Sequence, residues 1–168
     1  MMKFLDEQRM CRLYEKFILE YYRKEHRDKV KANASQIDWA LDDGFGTLLP
    51  IMQSDIMLTS RKDENKTLII DAKYYEHTMQ TQYEKRTFHS ANLYQIFTYV
   101  KNKSAKGGDI SGMLLYAKTD EEIQPDSVYR MSGNTITVRT LDLGVPFDEI
   151  RKQLDSIVNV FVDPDVKC

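Results

Sequence analysis

The chain has 168 residues, with 24 lysines and arginines against 26 aspartates and glutamates. That length suits one domain, which buries about 70% of the surface its unfolded chain exposes. Apolar residues at 42% and charged residues at 30% exclude a disordered or fibrous chain. No apolar run, Leu68-Ile69-Ile70 included, approaches the roughly 20 residues a membrane span needs. Asp6 and Glu7 fall where the apolar stretch of a secretory leader would begin. Cys11 and Cys168 lie near opposite ends, which excludes a paired-cysteine zinc site. Both are expected as free thiols in a reducing cytoplasm. Residues 109–168 carry 6 cations against 11 acids, leaving 18 against 15 in residues 1–108. A weakly positive front half permits nucleic-acid contact without demanding it.

Lys3 to about Lys29 reads as a helix. Leu5, Met10, Leu13, Tyr14, Phe17, Ile18 and Tyr21 recur at helical spacings and form one apolar stripe. Arg23, Lys24, Arg27, Lys29 and Lys31 fall at its C-terminal end, where the helix dipole favours cations, and read as a solvated face. Gln36 to Leu41, with the single Trp39, reads as a short strand. Asp42-Asp43-Gly44 and Gly46 are turn chemistry. Ser54 to Ser60 alternates, with Ile56 and Leu58 on one face and Asp55 and Met57 on the other. A polar link, Lys62 to Lys66, joins it to a second strand from Thr67 to Tyr74, giving a hairpin.

His89 to about Lys103 reads as the second helix, with Leu93, Ile96, Phe97 and Val100 on one stripe. Gly112 to Ala117 is an apolar strand. Val128 to Met131 and Thr135 to Leu141 form a hairpin around Ser132-Gly133-Asn134. A last helix runs from about Pro146 to Phe161, with Pro146 in its first turn. The order is α-β-β-β-α-β, then a hairpin and a helix. No repeat or linker divides it, so residues 1–168 are expected to form a single domain.

The informative segment is Leu68-Ile69-Ile70-Asp71-Ala72-Lys73. A buried strand here would present Asp71 and Lys73 on one face, because strand side chains alternate. An isolated charge there is costly to desolvate. Either the two compensate each other as an ion pair, or a third charge is bound. Asp55, on the strand expected to pair with 67–74, reaches the same end of the sheet. Two carboxylates and a lysine suffice for metal-assisted phosphodiester hydrolysis. Mg²⁺ takes one or two carboxylates and keeps its waters. On the second helix Gln95 and Tyr99 share a face at i and i+4, with Asn92 nearby. Glu15 and Glu20 are rival accessory acids on the first helix, and spacing does not choose between them. His26, His77 and His89 share no spacing and are expected to be solvated or loosely packed, not ligands. No nucleophilic triad and no phosphate-cradling glycine loop is present in the sequence.

These residues resemble the PD-(D/E)xK nuclease superfamily. Asp55 matches its first acid, Asp71-Ala72-Lys73 its (D/E)xK, and Gln95 and Tyr99 the Gln-x-x-x-Tyr helix of one branch. More closely, the chain resembles the nuclease region of the McrC family of 5-methylcytosine-specific restriction systems. The stretches that carry the resemblance are Arg12-Leu13-Tyr14-Glu15-Lys16-Phe17, Leu48-Leu49-Pro50 through Asp55, and Ile69 through Tyr75. Ser90 through Tyr99 and Ser111 through Tyr116 add to them. Two departures stand out. The chain starts at the nuclease helix, without the family's N-terminal region for partner docking. The first acid is preceded by serine, not proline.

The resemblance implies an α/β, restriction-endonuclease-like PD-(D/E)xK core, a mixed sheet flanked by helices, with an added C-terminal hairpin and helix. It implies a Mg²⁺-dependent (or Mn²⁺-dependent) DNA endonuclease active in phage defence. Asp55 and Asp71 would be the metal ligands and Lys73 would stand at the attacking water. Glu15, Gln95 and Tyr99 would complete the catalytic set. The implied partners are DNA, a McrB-like AAA+ GTPase subunit, and a second copy of the chain for double-strand cleavage. A non-catalytic assembly or DNA-docking module that keeps the fold is the competing expectation.

Overall fold

The computed structural model describes residues 2–75, 79–82 and 85–166. His77 and Cys168, for which expectations were stated, lie outside them. In chain order the elements are α1 (Met2–Glu25), β1 (Val30–Asn33), β2 (Gln36–Ile37), β3 (Met52–Gln53), β4 (Ile56–Ser60), β5 (Lys66–Lys73), β6 (Met79–Gln82), β7 (Lys85–Phe88), α2 (Ser90–Ser104), β8 (Asp109–Ala117), β9 (Ser127–Met131), β10 (Asn134–Leu141) and α3 (Phe147–Val162).

Six strands form one mixed sheet in the order β1-β4-β5-β8-β10-β9. The pairs β1–β4, β4–β5 and β10–β9 are antiparallel, and β5–β8 and β8–β10 are parallel. The central strands β5 and β8 are buried on both faces, so Leu68-Ile69-Ile70 and Met113-Leu114-Leu115 are apolar without alternation. On one face, Leu68, Ile70, Ala72 and Leu115 pack against Tyr14, Ile18 and Tyr22 of α1 and Leu154 and Val158 of α3. On the other, Met57, Ile69, Leu114 and Ile136 pack against Ile96 and Val100 of α2. No helix among the described residues is long and apolar enough to cross a membrane.

Helix α2 approaches the sheet over Gly112. A Cβ at that position would lie 2.7 Å from Val100 Cγ2 and 2.8 Å from Ile96 Cγ1. The glycine therefore sets how close α2 lies to the sheet, and with it the height of Gln95 above β5.

Three differences from the sequence reading have physical causes. Helix α1 ends at Glu25, not near Lys29, because the amides of Lys29 and Val30 turn back onto the His26 carbonyl. The strand beside β4 is Val30–Asn33, and of the expected Gln36–Leu41 strand only Gln36–Ile37 is extended. Trp39 is instead fixed in a loop, where its indole N–H donates to the Pro50 carbonyl at 2.7 Å. The β6–β7 hairpin was not anticipated, since Met-Gln-Thr-Gln and Lys-Arg-Thr-Phe show no apolar alternation. The turn around Ser132-Gly133 matches expectation, with positive φ at both residues, +48° and +87°.

Candidate active site

Residues Asp71 and Lys73 occupy the carboxyl end of β5 on the α2 face of the sheet, as their alternation requires. Register brings Asp55 to the same place. Ile56 pairs with Ile70, so Asp55, one residue before β4, lies opposite Asp71. Two anchors hold it. The buried Ser54 is tied to Ser35 by its amide, at 3.0 Å, and by its hydroxyl, at 2.9 Å. Asp55 Oδ2 itself accepts the Ala72 amide at 2.9 Å.

Asp71 is only 3% exposed. Its Oδ1 lies 3.0 Å from Lys73 Nζ, while its Oδ2 is buried with no hydrogen-bond partner among the described residues. Burial pushes the Asp55 carboxyl up to about 8, and its contact with Asp71 and the nearby Glu15 charge add to the rise, against the Ala72 amide. Asp55 thus holds its proton near neutral pH in the absence of a cation. Burial works against the Lys73 ammonium, but the Asp71 charge and hydrogen bond outweigh it and the pKa is raised. Lys73 is therefore a cation at neutral pH.

Helix α2 supplies the next contacts. Lys73 Nζ donates to Gln95 Oε1 at 3.0 Å, and Gln95 Nε2 donates to the Tyr99 hydroxyl at 3.0 Å. This chain fixes which end of the Gln95 amide faces the lysine. A lysine ammonium has three donors. Among the described residues two are engaged, by Asp71 and Gln95, which leaves one for a substrate oxygen.

Of the two rival acids on α1, Glu15 approaches the site. Its carboxyl is raised by burial and by Asp71 and lowered by Lys73 and Arg12. Glu20 is exposed and pairs with Arg23 at 2.7 Å. All six expected residues, Asp55, Asp71, Lys73, Glu15, Gln95 and Tyr99, are thus gathered at one end of the sheet.

The pair fits a small divalent cation. A buried carboxylate oxygen, unpartnered among the described residues, and a second carboxylate held protonated by burial and by its neighbour are relieved together by one bound cation. Among the described residues, no three His, Cys, Asp or Glu side chains form a ligand group. The fit is therefore to an ion that accepts two carboxylates and fills its shell with water.

The sequence reading missed a polar cluster beside Lys73. The Tyr75 hydroxyl donates to Asn92 Oδ1 at 3.2 Å, and Asn92 Nδ2 donates to the Tyr116 hydroxyl at 3.1 Å. Its signal was present, since Asp71, Lys73 and Tyr75 recur at every second position. One expectation is corrected. His26 is not solvated but 6% exposed, with Nε2 2.6 Å from Asp155 Oδ1, and it joins α1 to α3. His89 is half-buried beside the Tyr75 ring, with Nε2 unpartnered among the described residues. Cys11 is a free thiol, as expected, and donates to the Tyr74 carbonyl at 3.2 Å.

Comparison with known proteins bears on the same region. The chain is 32% identical over 161 residues to the type IV methyl-directed restriction enzyme EcoKMcrBC of Escherichia coli (strain K12). The match covers 94% of this chain but 44% of that protein, so the chain spans less than half the length of this relative. In fold it is similar to a chain in the half-complex of the tetradecameric assembly of Thermococcus gammatolerans McrB AAA+ hexamers with bound McrC. The TM-score is 0.61 at 18% identity, over 90% of this chain and 33% of that one. The family model of the McrBC 5-methylcytosine restriction system component matches residues 8–117, a span that runs from within α1 to the end of β8 and holds every residue of the site just described. The chain therefore belongs to the McrBC 5-methylcytosine restriction system component family.

Proposed function

We propose that this chain is the DNA-cleaving module of a modification-dependent restriction system. In this reading residues 1–168 are one PD-(D/E)xK nuclease domain that works with a McrB-like AAA+ GTPase subunit. The observation that supports it best is the convergence of Asp55, Asp71 and Lys73, with one Asp71 oxygen buried and unpartnered.

Asp55 and Asp71 would hold Mg²⁺ or Mn²⁺. A divalent cation there supplies charge neutralisation at the phosphate and a bound water of lowered pKa. The Ala72 amide holds Asp55 by one oxygen, and the other would be the one offered to the cation. Lys73 presents its remaining N–H to the attacking water or to a phosphate oxygen, stabilising negative charge that grows in the transition state. Gln95, oriented by Tyr99, keeps that ammonium from swinging away. Glu15 adds negative potential at the rim of the site. One such site cuts one strand, so double-strand cleavage calls for two copies. Recognition of the methylated base is assigned to the partner.

A nicking assay on supercoiled plasmid tests this reading. Slow, sequence-independent nicking is expected in Mg²⁺ and none in EDTA, with stimulation by the AAA+ GTPase subunit. The isolated chain should bind DNA weakly at near-physiological salt, because its net charge is −2 and each neutralised phosphate contributes about 0.9 to the salt slope. No cleavage with or without the partner would favour a non-catalytic assembly module. Tight methylation-dependent binding by the chain alone would put recognition on this subunit.

A further inference from the structure

Strand β5 and helix α2 face each other with polar side chains in matched order. Asp71, Lys73 and Tyr75 follow at i, i+2 and i+4 along β5 and its continuation, and Asn92, Gln95 and Tyr99 at i, i+3 and i+7 along α2. Two polar rungs cross the gap. One is Lys73–Gln95 at 3.0 Å, and the other is Tyr75–Asn92 at 3.2 Å. The second rung plays no part in the reaction described above.

The second rung is built unevenly. Asn92 is 5% exposed and Tyr116 is 0% exposed, and the bond from Asn92 Nδ2 to the Tyr116 hydroxyl lies in the core. Tyr116 is the cross-strand neighbour of Lys73. Tyr75 is different. It lies two residues beyond the end of β5, half-buried, with its ring against His89 at 5.3 Å and Tyr116 at 6.2 Å. Its hydroxyl donates to Asn92, over the longer distance. The carboxyl ends of strands are where ligands approach an open α/β sheet. A substrate reaching Asp71 and Lys73 from that side passes Tyr75.

We infer that Tyr75 is a substrate-binding residue, donating its hydroxyl to a DNA backbone phosphate next to the scissile one, and that Asn92 is the positioning residue that aims it. This rests on the nuclease reading above and extends it to a substrate contact outside the Asp55, Asp71 and Lys73 set. Asn92 is held from below by Tyr116, so its carboxamide oxygen keeps the phenol at the rim of the site before substrate arrives. When DNA binds, the O–H turns from Asn92 to the phosphate oxygen, a charge-assisted acceptor and the stronger of the two. A neutral donor suits a chain of net charge −2, because it binds phosphate without adding to the salt dependence.

The test uses the full chain with a fluorescent duplex in Mg²⁺ for cleavage and in Ca²⁺ for binding. Tyr75→Phe keeps the ring and its contacts. It should raise KM and Kd for DNA about fivefold to tenfold, with kcat within about twofold and the salt slope unchanged, and lower the melting temperature by a few degrees, because the buried Asn92 oxygen loses its donor. Asn92→Ala should weaken DNA binding by a similar factor. The double variant should bind no worse than Asn92→Ala alone, because the two residues act as one unit. Unchanged KM and Kd in Tyr75→Phe would overturn the inference, as would a fall in kcat at unchanged KM. Additive losses in the double variant would overturn the positioning role of Asn92. If the wild type binds DNA through Tyr75 but does not cut it, the nuclease reading falls and this contact stands. If it cuts and Tyr75→Phe behaves as wild type, only this contact falls.

Discussion

Asp71→Asn is expected to lower the DNA cleavage rate by about a thousandfold or more, close to 4 kcal/mol of transition-state stabilisation. The substitution is nearly isosteric and keeps an oxygen for Lys73 Nζ at 3.0 Å. What it removes is the negative charge beside Asp55 and the buried oxygen with no protein partner. A purely structural Asp71–Lys73 ion pair would predict the reverse pattern. Breaking a buried pair costs about 3–5 kcal/mol of stability, so that view expects a large drop in melting temperature. The account here expects the melt to hold in EDTA, because the asparagine keeps an oxygen for Lys73 and no longer raises the neighbouring Asp55 carboxyl. Both readouts come from one preparation, cleavage from the nicking rate and stability from calorimetry.

Asp55→Asn should stabilise the cation-free protein while abolishing cleavage. The folded-state carboxyl sits at about 8, raised by burial and by Asp71, against an ordinary value near 4. The folded chain therefore holds a proton that the unfolded chain releases, and stability falls as pH rises from about 4 to about 8. The substitution removes that slope. At pH 8 in EDTA the gain should be about 1–2 kcal/mol, or about 2–8 °C in a domain this size. Mg²⁺ should flatten the same pH dependence in the wild type and leave Asp55→Asn unaffected. A variant that melts lower than wild type across pH 5–8 would show that Asp55 is a structural hydrogen-bond acceptor for Ala72.

The parts legible in the sequence are those that local physics decides. Leu68-Ile69-Ile70 announced a doubly buried strand, and a central strand that ends in Asp-x-Lys places both charges on one face. The short polar link between Ser60 and Thr67 made β4–β5 a hairpin, and its Ile56–Ile70 register put Asp55 opposite Asp71. Helix α2 followed from its apolar stripe, with Ile96 and Val100 buried.

What escaped was set by tertiary contact. Val30–Asn33 directly follows the cationic end of α1, so its four residues merged with the helix tail. Trp39 reads as a strand residue, yet a hydrogen bond to Pro50 decides its conformation. His26 reads as solvated because Asp155, its partner, lies 129 positions away. The choice of Glu15 over Glu20 depends on how α1 passes the end of β5, which helical spacing does not specify. The Tyr75–Asn92–Tyr116 cluster joins three segments, and only Tyr75 carried a local signal, two positions beyond Lys73 on the same alternation.

The central claim is that Asp55 and Asp71 together form a divalent-cation site beside Lys73. Mn²⁺ binding followed by electron paramagnetic resonance tests it without any need for catalysis. The account predicts a saturable Mn²⁺ site in the wild-type chain, competed by Mg²⁺ and lost in both Asp55→Asn and Asp71→Asn, while Glu20→Gln binds as wild type. Equal Mn²⁺ affinity in the wild type and the two aspartate variants would contradict it.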